Sequence, residues 1–140
     1  MRDHYARCRA FLFPGEEDIG LTPIEAQACG RPVIAFGRGG ALETVCGFYP
    51  DDSIAPESST GIFFREQSVD SMVEAIQAFE AVESLFSPRV IRAQAERFDV
   101  SCFRSKMRAF ISESVADFQK VRRGSGPVNR AISAVGSVID

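Results

Sequence analysis

Short apolar runs alternate with amphipathic stretches along the chain. Phe11 to Phe13, Val33 to Phe36 and Gly61 to Phe64 are almost wholly apolar over three or four residues, as strands of a buried parallel sheet are. Arg2 to Arg9 reads as the end of a helix leading into the first strand. Val69, Met72, Val73, Ile76, Phe79 and Val82 recur at helical spacing, with Ser68 placed to cap the helix and Asp70 in its first turn. Ser87-Pro88 opens another helix, with Val90, Ile91, Ala95 and Phe98 inward. A long helix follows from about Ser101 to Lys120, with an apolar edge of Phe103, Met107, Phe110, Ile111, Val115 and Phe118. Strands alternating with helices predict an α/β fold with a Rossmann-like parallel sheet.

Phe11 to Phe36 organises the rest. It reads as strand, loop (Pro14 to Leu21), short helix (about Pro23 to Cys29) and strand, and parallel sheets of this kind bind ligands beyond the carboxyl ends of their strands. Thr22 is expected at the N-cap, Pro23 at the first helical position and Gly30 just past the end. The amides of Gly20, Leu21 and the first helical turn then form a site suited to an anion.

Glu17 precedes the helix and Glu25 lies in its first turn, eight positions later. Both are placed to face one ligand. Thr22-x-x-Glu25 is also a capping box, in which Glu25 would bond back to the Thr22 amide and do nothing more. That reading leaves Glu17, Gly20 and the Gly39-Gly40 pair unexplained. Gly37 to Gly40 forms a second turn before a short helix from Ala41 to Val45. From the residues alone, Gly39 and Gly40 read as left-handed and helix-start positions. Arg38 is either a phosphate contact or a solvated turn residue, and Glu43 reads as helix surface.

Composition narrows the classes. The chain has 140 residues, 45% hydrophobic and 25% charged, with a mean hydropathy of −0.03, as an ordinary globular domain has. A net charge of −3 and an isoelectric point near 5.2 carry no basic footprint for nucleic acid. Cys8, Cys29, Cys46 and Cys102 show no C-x-x-C spacing and read as reduced, mostly buried thiols. His4 is the only histidine, which excludes a His-rich metal site or a Ser-His-Asp triad and reads as a surface residue. Phe48 to Ser59, rich in Pro, Asp and Ser, is expected to be a loop whose acids match no Ca²⁺ spacing.

Glu17 to Glu25, followed by Ala26-Gln-Ala-Cys-Gly-Arg-Pro-Val-Ile34, resembles the signature of the retaining group 1 glycosyltransferases. Gly39-Gly40-Ala-Leu-Glu43 is similar to that family's Gly-Gly-x-x-Glu turn, and Thr60 to Phe64 with Val69 to Ile76 to its late strand and helix. The run Gly30 to Thr44 looks most like its bacterial mannosyltransferases. The resemblance covers roughly Tyr5 to Phe110. It implies the C-terminal half of a GT-B fold that binds a nucleotide sugar, GDP-mannose or a UDP-sugar, and transfers the sugar to a saccharide or lipid-linked acceptor.

Carried over position by position, the resemblance makes Glu25 the ligand of the nucleotide ribose and Glu17 the catalytic position, on the donor-sugar hydroxyls. The amides around Ile19, Gly20, Leu21 and Thr22 lie near the sugar and diphosphate, with Gly39 and Gly40 beside the pocket. The family often has Gly-Phe-Gly where this chain has Asp18-Ile19-Gly20. No metal or other cofactor is implied.

The same resemblance makes residues 1–120 a donor-binding domain whose N-terminal acceptor domain is missing, and the loosened composition of 121–140 reads as a flexible tail. A cytoplasmic location is expected. Lys120, Arg122, Arg123 and Arg130 either touch the anionic inner face of the cell membrane or are solvated. Two other readings stand beside this one: a stand-alone or degenerate nucleotide-sugar-binding module, and a sugar-nucleotide epimerase of GT-B architecture.

Overall fold

The computed structural model describes residues 2–52 and 56–124, which fall into two compact units, Met1–Asp99 and Val100–Asp140. In the first unit the elements run α1 (Arg2–Arg7), β1 (Phe11–Phe13), α2 (Leu21–Ala28), β2 (Val33–Phe36), α3 (Ala41–Thr44), β3 (Gly47–Phe48), β4 (Gly61–Phe64), α4 (Val69–Val82) and α5 (Pro88–Glu96). Short 3₁₀ turns lie at Pro56–Ser58 and Glu83–Leu85. The second unit contains α6 (Val100–Gly124).

The four strands form one parallel sheet in the order β1-β2-β4-β3. All eight residues of β2 and β4 are buried, since helices cover both faces. Alternation sorts the side chains. Val33, Ala35 and Phe63 point to one face, where they pack with Phe13, Tyr5 of α1, Ala26 of α2 and Ala41 of α3. Ile34, Phe36, Ile62 and Phe64 point to the other, against Ala75 and Phe79 of α4, Phe86 just before α5 and Ile91 within it. Ile91 is wholly buried, which is worth roughly 1.5–3 kcal/mol on its own.

The α/β expectation with a parallel sheet therefore holds, and so do the three predicted strands. Ser68 caps α4 as expected, its hydroxyl oxygen accepting from the Ser71 amide at 3.2 Å. Gly30 ends α2 in a Schellman arrangement: the Gly30 amide donates to the Gln27 carbonyl and the Arg31 amide to that of Ala26.

Several local expectations are corrected. Helix α2 starts at Leu21 rather than Pro23, and Gly20, not Thr22, occupies the cap position. Gly20 adopts φ 69°, ψ 82°, a left-handed conformation open to glycine, and the Phe13 ring lies directly beneath it, so the chain turns into the helix earlier. Pro23 falls at the third helical position, where its missing N–H is still one of the four that a helix leaves unbonded. Val69 and Val73 are exposed at 71% and 41%, because α4 buries only one stripe, that of Ala75 and Phe79. Phe98 lies past the end of α5 and is exposed.

Phe48 belongs to β3, a two-residue strand too short to leave a pattern. None of the cysteines is buried: Cys46 is exposed and the other three are half-buried, all as free thiols. Helix α6 continues through Val121–Gly124, residues read as tail from the sequence; the rest of that tail, with Arg130, lies outside the described residues. The aromatic edge of α6 is exposed, Phe103, Phe110 and Phe118 at 59%, 65% and 62%.

Candidate functional site

Because every strand runs the same way, the loops that follow β1, β2, β3 and β4 gather at one end of the sheet. Hydrogen bonds tie them into a rim. The Gly40 amide, in the turn after β2, donates to the Glu17 carbonyl in the loop after β1 at 2.7 Å. Gln67, after β4, donates its side-chain amide to the Pro14 carbonyl at 3.0 Å. Tyr49, after β3, donates its hydroxyl to the Gly37 carbonyl at 3.4 Å. The Arg65 guanidinium stacks on the Tyr49 ring at 3.9 Å and pairs with Asp51 at 2.9 Å.

The two glycines of the β2 turn explain the fit. Gly39 has φ +57°, and a Cβ there would stand 2.6 Å from the Glu17 carbonyl oxygen. A Cβ on Gly40 would collide with the Asp18 carbonyl and the Ile19 Cα. Only bare backbone brings the second turn this close to the first loop. Gly39 is left-handed and Gly40 immediately precedes α3, and both lie against the Glu17–Ile19 segment.

Glu17, Asp18, Ile19 and Leu21 are all exposed on this rim, and Thr22 is half-buried at the start of α2. No side chain caps α2. Its first-turn N–H groups therefore keep their partial positive charge for whatever lies beyond the strand ends. Arg38 is exposed on the turn, its guanidinium 5.8 Å from the Phe36 ring, and makes no ion pair among the described residues.

The capping box does not form. Glu25 is exposed in α2, and its carboxylate accepts a hydrogen bond from the Tyr5 hydroxyl of α1. Tyr5 is buried against Ala26 and meets Phe11 edge-on at 5.4 Å between ring centroids. Burial first, and then the Glu25 carboxylate, push the Tyr5 phenol above its ordinary pKa. One carboxylate of the pair is thus held from the helix before β1, while Glu17 is held through its own backbone by Gly40.

Reading the sequence missed Tyr5 and a buried polar cluster behind the rim. The Thr44 carbonyl at the end of α3 accepts from Gln27 of α2 at 3.1 Å and from Gln94 of α5 at 3.2 Å. The Thr44 hydroxyl donates to the Gly40 carbonyl at 3.0 Å. The only signal was two glutamines within otherwise apolar helical faces.

An α/β domain with a glycine-clamped loop at the carboxyl ends of its strands is the class that these features define. Residues 1–97 match the family described as glycosyl transferases group 1, and the chain belongs to that family. It is 35% identical over 63 residues to an Alpha-1,3/1,6-mannosyltransferase ALG2 of Candida glabrata, covering 45% of this chain and 13% of the relative. It is 31% identical over 111 residues to a glycogen synthase of Nitrosomonas europaea, covering 76% of this chain and 22% of the relative. A sucrose-phosphate synthase from Thermosynechococcus elongatus has a similar structure, with a TM-score of 0.64 and 26% identity over 81% of this chain and 27% of its own. The parallel α/β sheet is that of one half of the GT-B glycosyltransferase fold. The chain spans about a quarter or less of the length of these relatives. Among the described residues no helix is long and apolar enough to cross a membrane.

Proposed function

We propose that the chain supplies the donor-binding half of a retaining hexosyltransferase, which moves a sugar from a nucleotide diphosphate to a hydroxyl of a saccharide or lipid-linked acceptor. The observation that carries it is the convergence, in a group 1 glycosyltransferase chain, of the Glu17–Gly20 loop, the uncapped start of α2 and the Gly39-Gly40 turn at one end of the sheet. Glu25 accepts from the ribose hydroxyls and Glu17 from hydroxyls of the donor sugar. The amides from Ile19 to Thr22 face the diphosphate, aided by the α2 dipole. Gly39 and Gly40 hold that loop at its height.

In the transfer, the bond from the anomeric carbon to the diphosphate oxygen breaks and the acceptor oxygen bonds to the same face of that carbon. The acceptor proton passes to the departing diphosphate. Fixed donors around the leaving group lower the barrier, so neither glutamate has to shuttle a proton. The chemistry needs no metal or other cofactor. Acceptor-binding groups come from a further domain, and the assembled enzyme works in the cytoplasm, at the inner face of the membrane when its acceptor is lipid-linked.

GDP-mannose is the favoured donor, on the Gly30 to Thr44 run and the similarity to a mannosyltransferase; a UDP-sugar is second. Titration of the labelled 140-residue chain with GDP, UDP and GDP-mannose, followed by NMR, tests the reading. Affinity is expected in the high-micromolar to millimolar range, roughly 4–6 kcal/mol, since one domain supplies part of the contacts. Unmoved resonances from Ile19 to Glu25 at millimolar ligand would overturn it.

A further inference from the structure

Gln27 is wholly buried, yet its hydrogen bonding is incomplete. Its Nε2 donates to the Pro23 carbonyl at 3.2 Å and the Thr44 carbonyl at 3.1 Å, which fixes the orientation of the amide. Its Oε1 is then buried with no partner among the described residues. A buried acceptor left in that state opposes folding. Neither carbonyl depends on Gln27 either. Gln94 also donates to Thr44, and Pro23 already accepts the Gln27 backbone amide within the helix. An apolar side chain of the same length would serve the core at least as well.

What the amide does accomplish is connection. Gln27 holds Thr44, the Thr44 hydroxyl holds the Gly40 carbonyl, and the Gly40 amide holds the Glu17 carbonyl. Helix α3 has four residues, too few to fix its own direction, so its position depends on such anchors. We propose that Gln27, seconded by Gln94, is a positioning residue: it pins the end of α3 so that the Gly39-Gly40 turn holds the Glu17 loop in the conformation that receives the donor. The clause about the donor rests on the function proposed above; the coupling from Gln27 to Gly40 does not.

The experiment uses the ¹⁵N-labelled 140-residue chain and the variant Gln27→Met, which keeps side-chain length and volume. Three quantities are read: the melting temperature, amide hydrogen exchange at Gly40 relative to the core strands β2 and β4, and binding of GDP. The expected result is a melting temperature no lower than that of the parent, Gly40 exchange faster by about tenfold with strand exchange unchanged, and weaker GDP binding. Unchanged Gly40 exchange overturns the proposal. So does a fall in melting temperature with exchange rising equally everywhere, which would make Gln27 an ordinary core residue. Gln94→Met also removes the acceptor of the Arg97 guanidinium, so its melting temperature should fall, but Gly40 exchange should still rise more than exchange in the strands, and this decides the matter if Gln27→Met does not fold. If the parent fails to bind GDP while Gly40 exchange responds as stated, the positioning role stands and the donor reading falls.

Discussion

The Gly40 amide and the Glu17 carbonyl meet at 2.7 Å, so the turn after β2 sets the height of the loop after β1. No room is left at the meeting point, because a Cβ on Gly40 would overlap the Asp18 carbonyl and the Ile19 Cα, both of them backbone. Gly40→Ala should therefore cost about 1–3 kcal/mol, as overpacking against backbone does. Urea unfolding measures it. A midpoint equal to that of the parent would show that the Glu17 loop yields freely and is not clamped.

Tyr5 gives the chain a pH dependence at its alkaline end. The folded chain holds the phenol proton more tightly than the unfolded chain does, because of burial and then the Glu25 carboxylate. The associated stability is complete below the unfolded pKa of about 10 and is lost as pH rises through the higher folded value. Wild type should thus lose stability more steeply than Tyr5→Phe between about pH 9 and pH 12. Equal slopes in denaturant unfolding would remove Tyr5 as the source.

Replacing Glu25 by Gln separates ligand binding from support of the fold. The Tyr5 hydroxyl keeps an acceptor in the amide oxygen, so stability should change by less than about 1 kcal/mol. On the proposed role of Glu25, charge-assisted bonds to ribose weaken in the variant, and affinity for the nucleotide should fall roughly tenfold. Calorimetric melting and NMR titration read the two quantities independently. A lower melting point with unchanged affinity would make Glu25 structural only.

The parts of this architecture that the sequence revealed are those set by neighbours along the chain. Val33 to Phe36 and Gly61 to Phe64 are continuous apolar runs, and Ser68 stands directly before a helical period, so strands and cap were legible. The loop from Glu17 to Gly20 was legible as a motif. Its supports were not. Tyr5 reaches Glu25 from another helix, and Gln27 and Gln94 reach Thr44 across 17 and 50 residues of chain. The start of α2 was misplaced because Thr22-Pro23 satisfies local capping preferences, whereas the Phe13 ring and the left-handed Gly20 decide it through tertiary packing. Periodicity marked the apolar edge of α6 but carries no information on whether anything covers it.

Two phenylalanines of similar sequence context should respond differently to truncation. Phe79 in α4 is 3% exposed and packs with Phe86 at 5.9 Å, while Phe110 in α6 is 65% exposed. Phe79→Ala should cost about 3–5 kcal/mol through the lost burial and the cavity left behind. Phe110→Ala should stay within about 0.5 kcal/mol in this chain. Chemical denaturation of both variants checks the contrast, and a cost at Phe110 approaching that at Phe79 would mean its ring is buried in solution.

The 140 residues on their own should bind a nucleotide yet transfer no sugar. On the proposed function the start of α2 faces the diphosphate and Glu17 and Glu25 face hydroxyls, but an acceptor oxygen must also be held on the same face of the anomeric carbon as the leaving group. Orienting two reactants in that way supplies about 7–11 kcal/mol of a barrier. A single domain with its rim open to water forgoes most of it, and water also weakens the electrostatic help to the leaving diphosphate. The much greater length of the relatives fits a second domain in that role. Incubating the chain with labelled nucleotide sugars and a panel of saccharide and lipid-linked acceptors, beside a form joined to an acceptor domain, makes the comparison. Sustained transfer by the short chain alone would mean that the acceptor site lies within these residues and that the two-domain mechanism is wrong.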